Sequence, residues 1–350
     1  MMRVGTARTG TRLATWRYRS LMVLVAALMF WTVMPAANAQ VLIVSSDGSA
    51  GYDVVAQELR AGLKTVRDGS VRIDSTDAKR LAGMDGPEFG RYELVVTVGL
   101  SAAQAALSRE SSLPAPPLTL CLLIPRQSFE RLVPPSTVGQ QARVSALFID
   151  QPLSRQLDLL RSALPDKHRL GVILGPVSQA MSDEIGEQAH AHAFNVKCAK
   201  VAEPAGVYAA LQAVLPDSDL LLLLPDPITT SADTMYGLLL TSYRAQVPVA
   251  GYSEGLLNAG ALVSLFSSAS QQGREGAEIA RRVLSGAGGL PTPRHPNYFT
   301  VRVNASVARS LGLHLPSEAA LQSALENPVA TPVKLAAPVG SDASASGDKP

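Results

Sequence analysis

Two cysteines, five histidines, 5% aromatic residues and a net charge of only +2 in 350 residues leave several kinds of protein without the chemistry they need. Cys121 and Cys198 are too few for a disulfide framework, and with the scattered histidines they show no metal-ligand spacing. His190 and His192 stand two apart on an expected helix and point to different faces. The cysteines fall in separate expected domains, where a bridge would fix any domain movement, so free, buried thiols are expected. A near-neutral charge, with Arg3, Arg8, Arg12, Arg17 and Arg19 all ahead of residue 20, leaves no basic surface for nucleic acid. Neither a metal nor a cofactor is expected.

A long apolar run is missing as well. Residues 21–33 are apolar but too short for a comfortable membrane span. They follow the arginines and precede Ala37-Asn38-Ala39, the basic, apolar, small-residue order of a secretory signal. Residues 1–39 are therefore expected to be a signal peptide cleaved after Ala39, with the mature protein soluble in a bacterial periplasm; the alternative is an uncleaved anchor. With no cysteine near the cleavage site, a lipid anchor is not expected.

What is present is 47% hydrophobic residues, enough for two domains with cores of their own. Residues 219–266 carry two strand-to-helix transitions in a row. The apolar run 220–224 stops at Pro225-Asp226-Pro227, as a strand buried on both faces does. Thr229, Thr230 and Ser231 then offer N-cap oxygens to a helix in which Met235, Leu238, Leu239 and Tyr243 recur at helical spacing. Val247-Pro248-Val249 is the next strand and Gly251-Tyr252-Ser253 its turn, followed by the apolar segment 256–265.

The same alternation runs through the chain. Strands are expected at 41–44, 71–73, 94–98, 118–124, 144–148, 170–174, 195–201 and 299–303, with helices at 52–65, 102–108, 153–164, 179–193, 207–214 and 271–284. A polar segment leads to Tyr92, a short helix ends at Leu311-Gly312, and the pattern is expected to give way to a disordered tail over 317–350. The fold class expected is α/β, with two doubly wound parallel-sheet domains joined by a multi-stranded hinge. One lobe comprises 40–147 and 266–296, the other 148–265 and 297–316. A ligand crevice belongs beyond the carboxyl ends of the strands. Asp226 and Tyr252 with Ser253 are expected to line it.

The order and spacing of several segments resemble a known family. They are Val98-Gly99 with Ala102-Ala103-Gln104-Ala105, Gln156 with Leu160 and Leu164-Pro165, and Arg169-Leu170-Gly171-Val172-Ile173. Ile228 with Ser231, Val247-Pro248-Val249 with Gly251, Gly260-Ala261-Leu262, and Val303-Asn304 with Leu311-Gly312-Leu313 extend the likeness over about residues 40 to 316. The family is the ABC-transporter substrate-binding proteins of the tryptophan/tyrosine-permease-associated type, within the type I periplasmic binding proteins. The resemblance implies a Venus-flytrap fold and a monomer that captures a small solute, often an amino acid, for an ABC permease. It also implies that the amide-rich turn 99–103, with Gly99, Ser101 and Ala102, can hold a carboxylate, and that the turns carrying Ser45 and Ser46, Pro125 and Gly175 line the same crevice. Two turns depart from the family pattern: Ile124-Pro125 replaces an Asp-Pro dipeptide, and Gly175-Pro176 an asparagine-rich turn.

Competing readings attach to individual residues. Gly251-Tyr252-Ser253-Glu254-Gly255 fits the G-x-S-x-G of an esterase, but the first aspartate after Ser253 is Asp342, in the expected tail. Asp226 can bind an ammonium group, act as a base or cap the following helix; Tyr252 can stack on a ligand or pack at the hinge. Ser101 and Asp47 can bond a ligand or merely serve a helix start, and Tyr52 and Tyr236 are expected to pack. An accessory envelope protein that keeps the fold without the ligand is the second functional reading.

Overall fold

Residues 94–98 and 118–124 are almost wholly apolar, and in the computed structural model both become strands with neighbours on either side. The structure describes residues 40–64, 66, 71–133 and 143–327; the expected signal peptide and the end of the expected tail lie outside them. The first sheet holds β1 (Gln40–Ser45), β2 (Arg72–Asp77), β3 (Leu94–Val98), β4 (Leu118–Ile124) and β5 (Val144–Phe148). Its order is β2-β1-β3-β4-β5, parallel throughout. Helices α1 (Ala50–Leu63), α2 (Ala78–Gly83), α3 (Gly86–Gly90), α4 (Leu100–Glu110) and α5 (Arg126–Leu132) connect the strands. The segment expected only as a polar connection to Tyr92 contains α2 and α3, started by Asp77 and Asp85 side chains that accept the Arg80 and Glu88 amide hydrogens.

The second lobe opens with α6 (Leu153–Ala163) and β6 (Arg169–Leu174), then α7 (Ser182–Ala191), β7 (Asn195–Lys200), α8 (Val207–Val214) and β8 (Leu220–Leu222). It continues through α9 (Ala232–Arg244), β9 (Val249–Gly251), α10 (Glu254–Ala259) and β10 (Val263–Phe266). The apolar segment 256–265 thus divides between a helix and a strand. The sheet order is β11-β10-β9-β8-β6-β7, parallel except that β11 (Thr300–Val303) runs antiparallel to β10.

Two helices pack on the sheet opposite to the one they touch in sequence. After β10 the chain crosses back as α11 (Ala269–Leu284), whose Ala277, Ile279, Ala280 and Leu284 join Val55, Leu59 and Leu63 of α1 in the first core. A capping box between Ser268 and Gln271 starts it. After β5 the chain crosses forward as α6, whose Leu157 and Leu160 enter the second core. The crossings are tied together. Gln151 Nε2 donates to Ser267 Oγ at 2.9 Å, and Ser267 Oγ in turn donates to Tyr298 O, so one residue from each linker shares a hydrogen-bonded chain. Glu275 of α11, 1% exposed, accepts from the amides of Asn297 and Tyr298 and pairs with Arg294 at 2.7 Å.

Three expectations are corrected. The chain does not lose its pattern at 317: after α12 (Ala305–Ser310), α13 (Glu318–Glu326) packs on α6 and β11 and buries Leu321. Glu318 and Gln322 accept the Val303 and Val301 amide hydrogens, covering the open edge of β11. A nine-residue helix with one buried leucine leaves little periodicity to read. Tyr236 is 69% exposed instead of packed, because Leu238, Leu239 and Ser242 carry the buried face of α9. Cys121 and Cys198 are both free, but only Cys121 is fully buried; Cys198 is half-buried. Among the described residues no helix is long and apolar enough to cross a membrane.

Candidate functional site

Each sheet reverses its strand order once, between β1 and β3 in the first and between β6 and β8 in the second. A crevice opens where neighbouring connections leave in opposite directions. In the first lobe the turn after β3 begins at Gly99, whose φ of 91° favours a residue without a Cβ. A Cβ there would lie 2.5 Å from Ser46 Oγ and 2.7 Å from Tyr52 Oη, so both side chains close over this turn. Ser46 Oγ accepts from the Ala102 amide at 3.0 Å. The protein thus places its own oxygen on the turn expected to hold a carboxylate.

The second lobe does the same with a full charge. Asp226, 3% exposed, follows β8 but caps the turn after β6. Its Oδ2 accepts from Val177 N at 3.0 Å, Ser178 N at 2.9 Å and Ser178 Oγ at 3.0 Å, and its Oδ1 from Ile228 N at 3.0 Å. Three donors converge on Oδ2 and one on Oδ1, which holds the buried carboxylate in place. Gly175 permits this, since a Cβ there would overlap the carboxyl group. The helix that follows Asp226 in sequence is capped by Ser231 instead.

Between the two sets of strand tips lies a cavity of about 510 Å³. Leu100, Leu123, Leu132 and Pro125 line it from the first lobe, and Val177, Pro225 and Pro227 from the second. Leu123 sits at a bulge between β4 and β5 with φ of 52°, a conformation that costs a branched L-residue about 1–2 kcal/mol and is more common where function demands it. The polar lining is sparse. Tyr252 Oη and Thr230 Oγ1 are hydrogen-bonded at 2.7 Å, while Tyr52, Gln104 and Ser128 face them. Burial, first of all, raises the pKa of Tyr52 and of Tyr252, so both keep their hydroxyl protons at neutral pH. Arg131, on α5, donates from Nη2 to Pro176 O of the other lobe at 2.5 Å.

Of the residues named from sequence, Pro125, Asp226 and Tyr252 line this cavity, and Ser46, Gly99 and Gly175 shape the turns just behind it. Ser45 ends β1, Ser101 is exposed on α4 and Ala102 is fully buried; none of the three lines the cavity. Asp47 accepts from Ser49 N at 2.9 Å. Ser253 Oγ caps α10 by accepting from Leu256 N at 3.1 Å, while His295 is bonded to Asp150 O in the hinge and His314 lies in a separate groove beside Arg309. Sequence reasoning passed over Tyr52 as a packing residue and missed Leu123, Ser128 and Arg131. Their signal was positional: Leu123 lies in the last two residues of β4, Ser128 and Arg131 on the helix that follows it, and Tyr52 in the first turn of the helix after β1.

Beside the cavity the two lobes touch. Arg126 of α5 pairs with Glu184 of α7, and the Arg126 amide donates to Asp150 Oδ2 at 2.5 Å. Burial pushes the Asp150 carboxyl up to about 6 and holds His295 below its ordinary value. A larger, open groove of about 650 Å³, lined by Tyr208, Arg244 and Lys167, lies at the amino ends of β6 and β8. That is the wrong end of a parallel sheet for a ligand crevice.

Two doubly wound lobes, three linkers between them and a cavity at facing strand tips define a type I periplasmic binding fold, the Venus-flytrap. A sequence model of the family described as ABC transporter substrate binding protein matches residues 89–327, and the chain belongs to that family. Solved structures share the fold. One is the ABC domain from Streptococcus pneumonia in complex with L-Trp, with 17% identity, TM-score 0.59, and 82% of this chain and 98% of that chain covered. A conserved domain protein from Vibrio cholerae has 21% identity and TM-score 0.58 over 82% and 98% of the two chains. The ligand-free, open structure of a substrate-binding protein with adhesive properties from Clostridium difficile has 18% identity and TM-score 0.64 over 80% and 96%. Among curated proteins none matches the sequence.

Proposed function

We propose that this protein captures a small organic solute between its lobes, outside the cytoplasm, and delivers it to an ABC permease without chemically changing it. The single observation that carries the reading is the cleft of about 510 Å³ lined by carboxyl-end turns of both sheets. A pocket of that size suits one metabolite. The bodies that close on it are residues 40–147 with 266–296, and 148–265 with 297–316 extended by α13; the packing of α11 and α6 supports this division. Export through the 1–39 leader and action as a monomer belong to the same proposal.

A screen of amino acids, nucleosides and small carboxylates by thermal shift tests it. One chemical class should raise the Tm, since a ligand at a hundred times its Kd adds about 2.7 kcal/mol to the folded state. Val177→Trp, which fills the cavity from a half-buried position, should abolish that shift. The accessory-protein reading draws on a different observation, the two strand-tip turns already satisfied by Ser46 and Asp226. It predicts that no small molecule moves the Tm.

A further inference from the structure

The cleft's charge inventory narrows the class of its occupant. Resting on the solute-capture reading, we infer that the ligand is a monocarboxylate with an apolar body and no ammonium group, an aromatic or branched aliphatic acid in place of a free amino acid, held through Arg131.

An ammonium group needs an acceptor, and the one carboxylate lining the cavity among the described residues is Asp226. Its Oδ2 already accepts from Val177 N, Ser178 N and Ser178 Oγ, its Oδ1 accepts from Ile228 N, and only 3% of the residue is exposed, which leaves little of the carboxylate for a ligand. A primary ammonium entering here would shed water and gain no charged partner, which is unfavourable in a low-polarity site.

The anion side is open. Arg131 is the cation lining the cavity, and among the described residues no carboxylate pairs with it. Among the described residues its guanidinium bonds to Pro176 O, which leaves further N–H groups in the planar fork that matches a carboxylate two-to-two. Residues 134–142, next in sequence after α5, include no Asp or Glu. The turns that would otherwise attract an anion, the starts of α4 and of the segment after β6, already hold Ser46 Oγ and the Asp226 carboxylate. An anionic ligand is therefore directed to the guanidinium.

The rest of the wall specifies the body. Leu100, Leu123, Leu132, Ile149 and Val177 offer aliphatic surface, with the Tyr52 and Tyr252 rings beside them. A ring or branched chain matches this surface, against which a polyol would set hydroxyls that aliphatic walls cannot bond.

The test uses the purified protein and two sets of compounds that share a skeleton and differ in charge. One is 3-phenylpropionate, L-phenylalanine, 2-phenylethylamine and 3-phenylpropan-1-ol; the other is 4-methylpentanoate, L-leucine and 3-methylbutylamine. By calorimetry, an acid in at least one set should bind about tenfold or more tighter than its amino acid, with no binding of the amine. Arg131→Gln should bring the phenyl acid down to the affinity of its alcohol, with far-UV circular dichroism showing the protein still folded. An amino acid or amine binding as tightly as its acid, or an acid preference that survives Arg131→Gln, overturns the charge assignment and leaves solute capture standing. Absence of binding across both sets overturns this ligand class, and the broader thermal-shift screen then decides whether solute capture falls with it.

Discussion

At the scale of single residues, the molecule spends its most polar turns on itself. Asp226 was open from sequence to binding an ammonium group, acting as a base or capping the helix that follows; Ser231 caps that helix, and the Asp226 carboxylate accepts across space from Val177 and Ser178, 49 and 48 residues earlier. No local pattern announces such a partner. Gly175 is the other half of that arrangement, and Gly175→Ala should displace the carboxylate and strand a buried charge. The expected cost is about 3 kcal/mol, read as a Tm lowered by roughly 5–10 °C. Adding Asp226→Asn should recover little of it, because the clash with the new Cβ remains. Arg131 escaped sequence reading for a related reason: a cation on a short polar helix acquires meaning only when the opposing lobe supplies Pro176.

Among the elements, the strands were legible and the short helices were not. Strands buried on both faces must be largely apolar runs, and β8 is wholly so, β3 and β4 are but for one threonine each, and β6 is after Arg169. α2, α3 and α13 are short and present one buried side chain each, too few for a period to emerge. The least conspicuous of the connecting helices, α5, makes the contacts between lobes: Arg126 reaches Glu184 and Arg131 reaches Pro176. Both ends of the Arg126–Glu184 pair are partly exposed, which limits its worth to about 1 kcal/mol. Glu184→Gln should accordingly shift the closed-to-open ratio by about threefold to fivefold. Small-angle scattering should show a larger radius of gyration for the variant, and stopped-flow release should be faster by a similar factor.

For the whole molecule, pH is the sharpest probe of how the interior is built. Burial raises Glu110 from an ordinary 4.5 to about 7 and Asp150 from 3.8 to about 6. Each carboxyl holds its proton more firmly folded than unfolded, so stability is fullest below the unfolded values and falls as pH climbs from about 4 to about 7. Glu110→Gln keeps an acceptor for Thr119 and removes the titration. It should gain on the order of 2 kcal/mol at about pH 8, nothing at about pH 4, and flatten the plot of Tm against pH measured by calorimetry. The joined linkers carry a further consequence. Because Gln151, Ser267 and Tyr298 belong to three separate crossings yet share one chain of hydrogen bonds, no crossing can bend by itself. The protein should swing about a common axle, and a lesion in any one strap should loosen the other two.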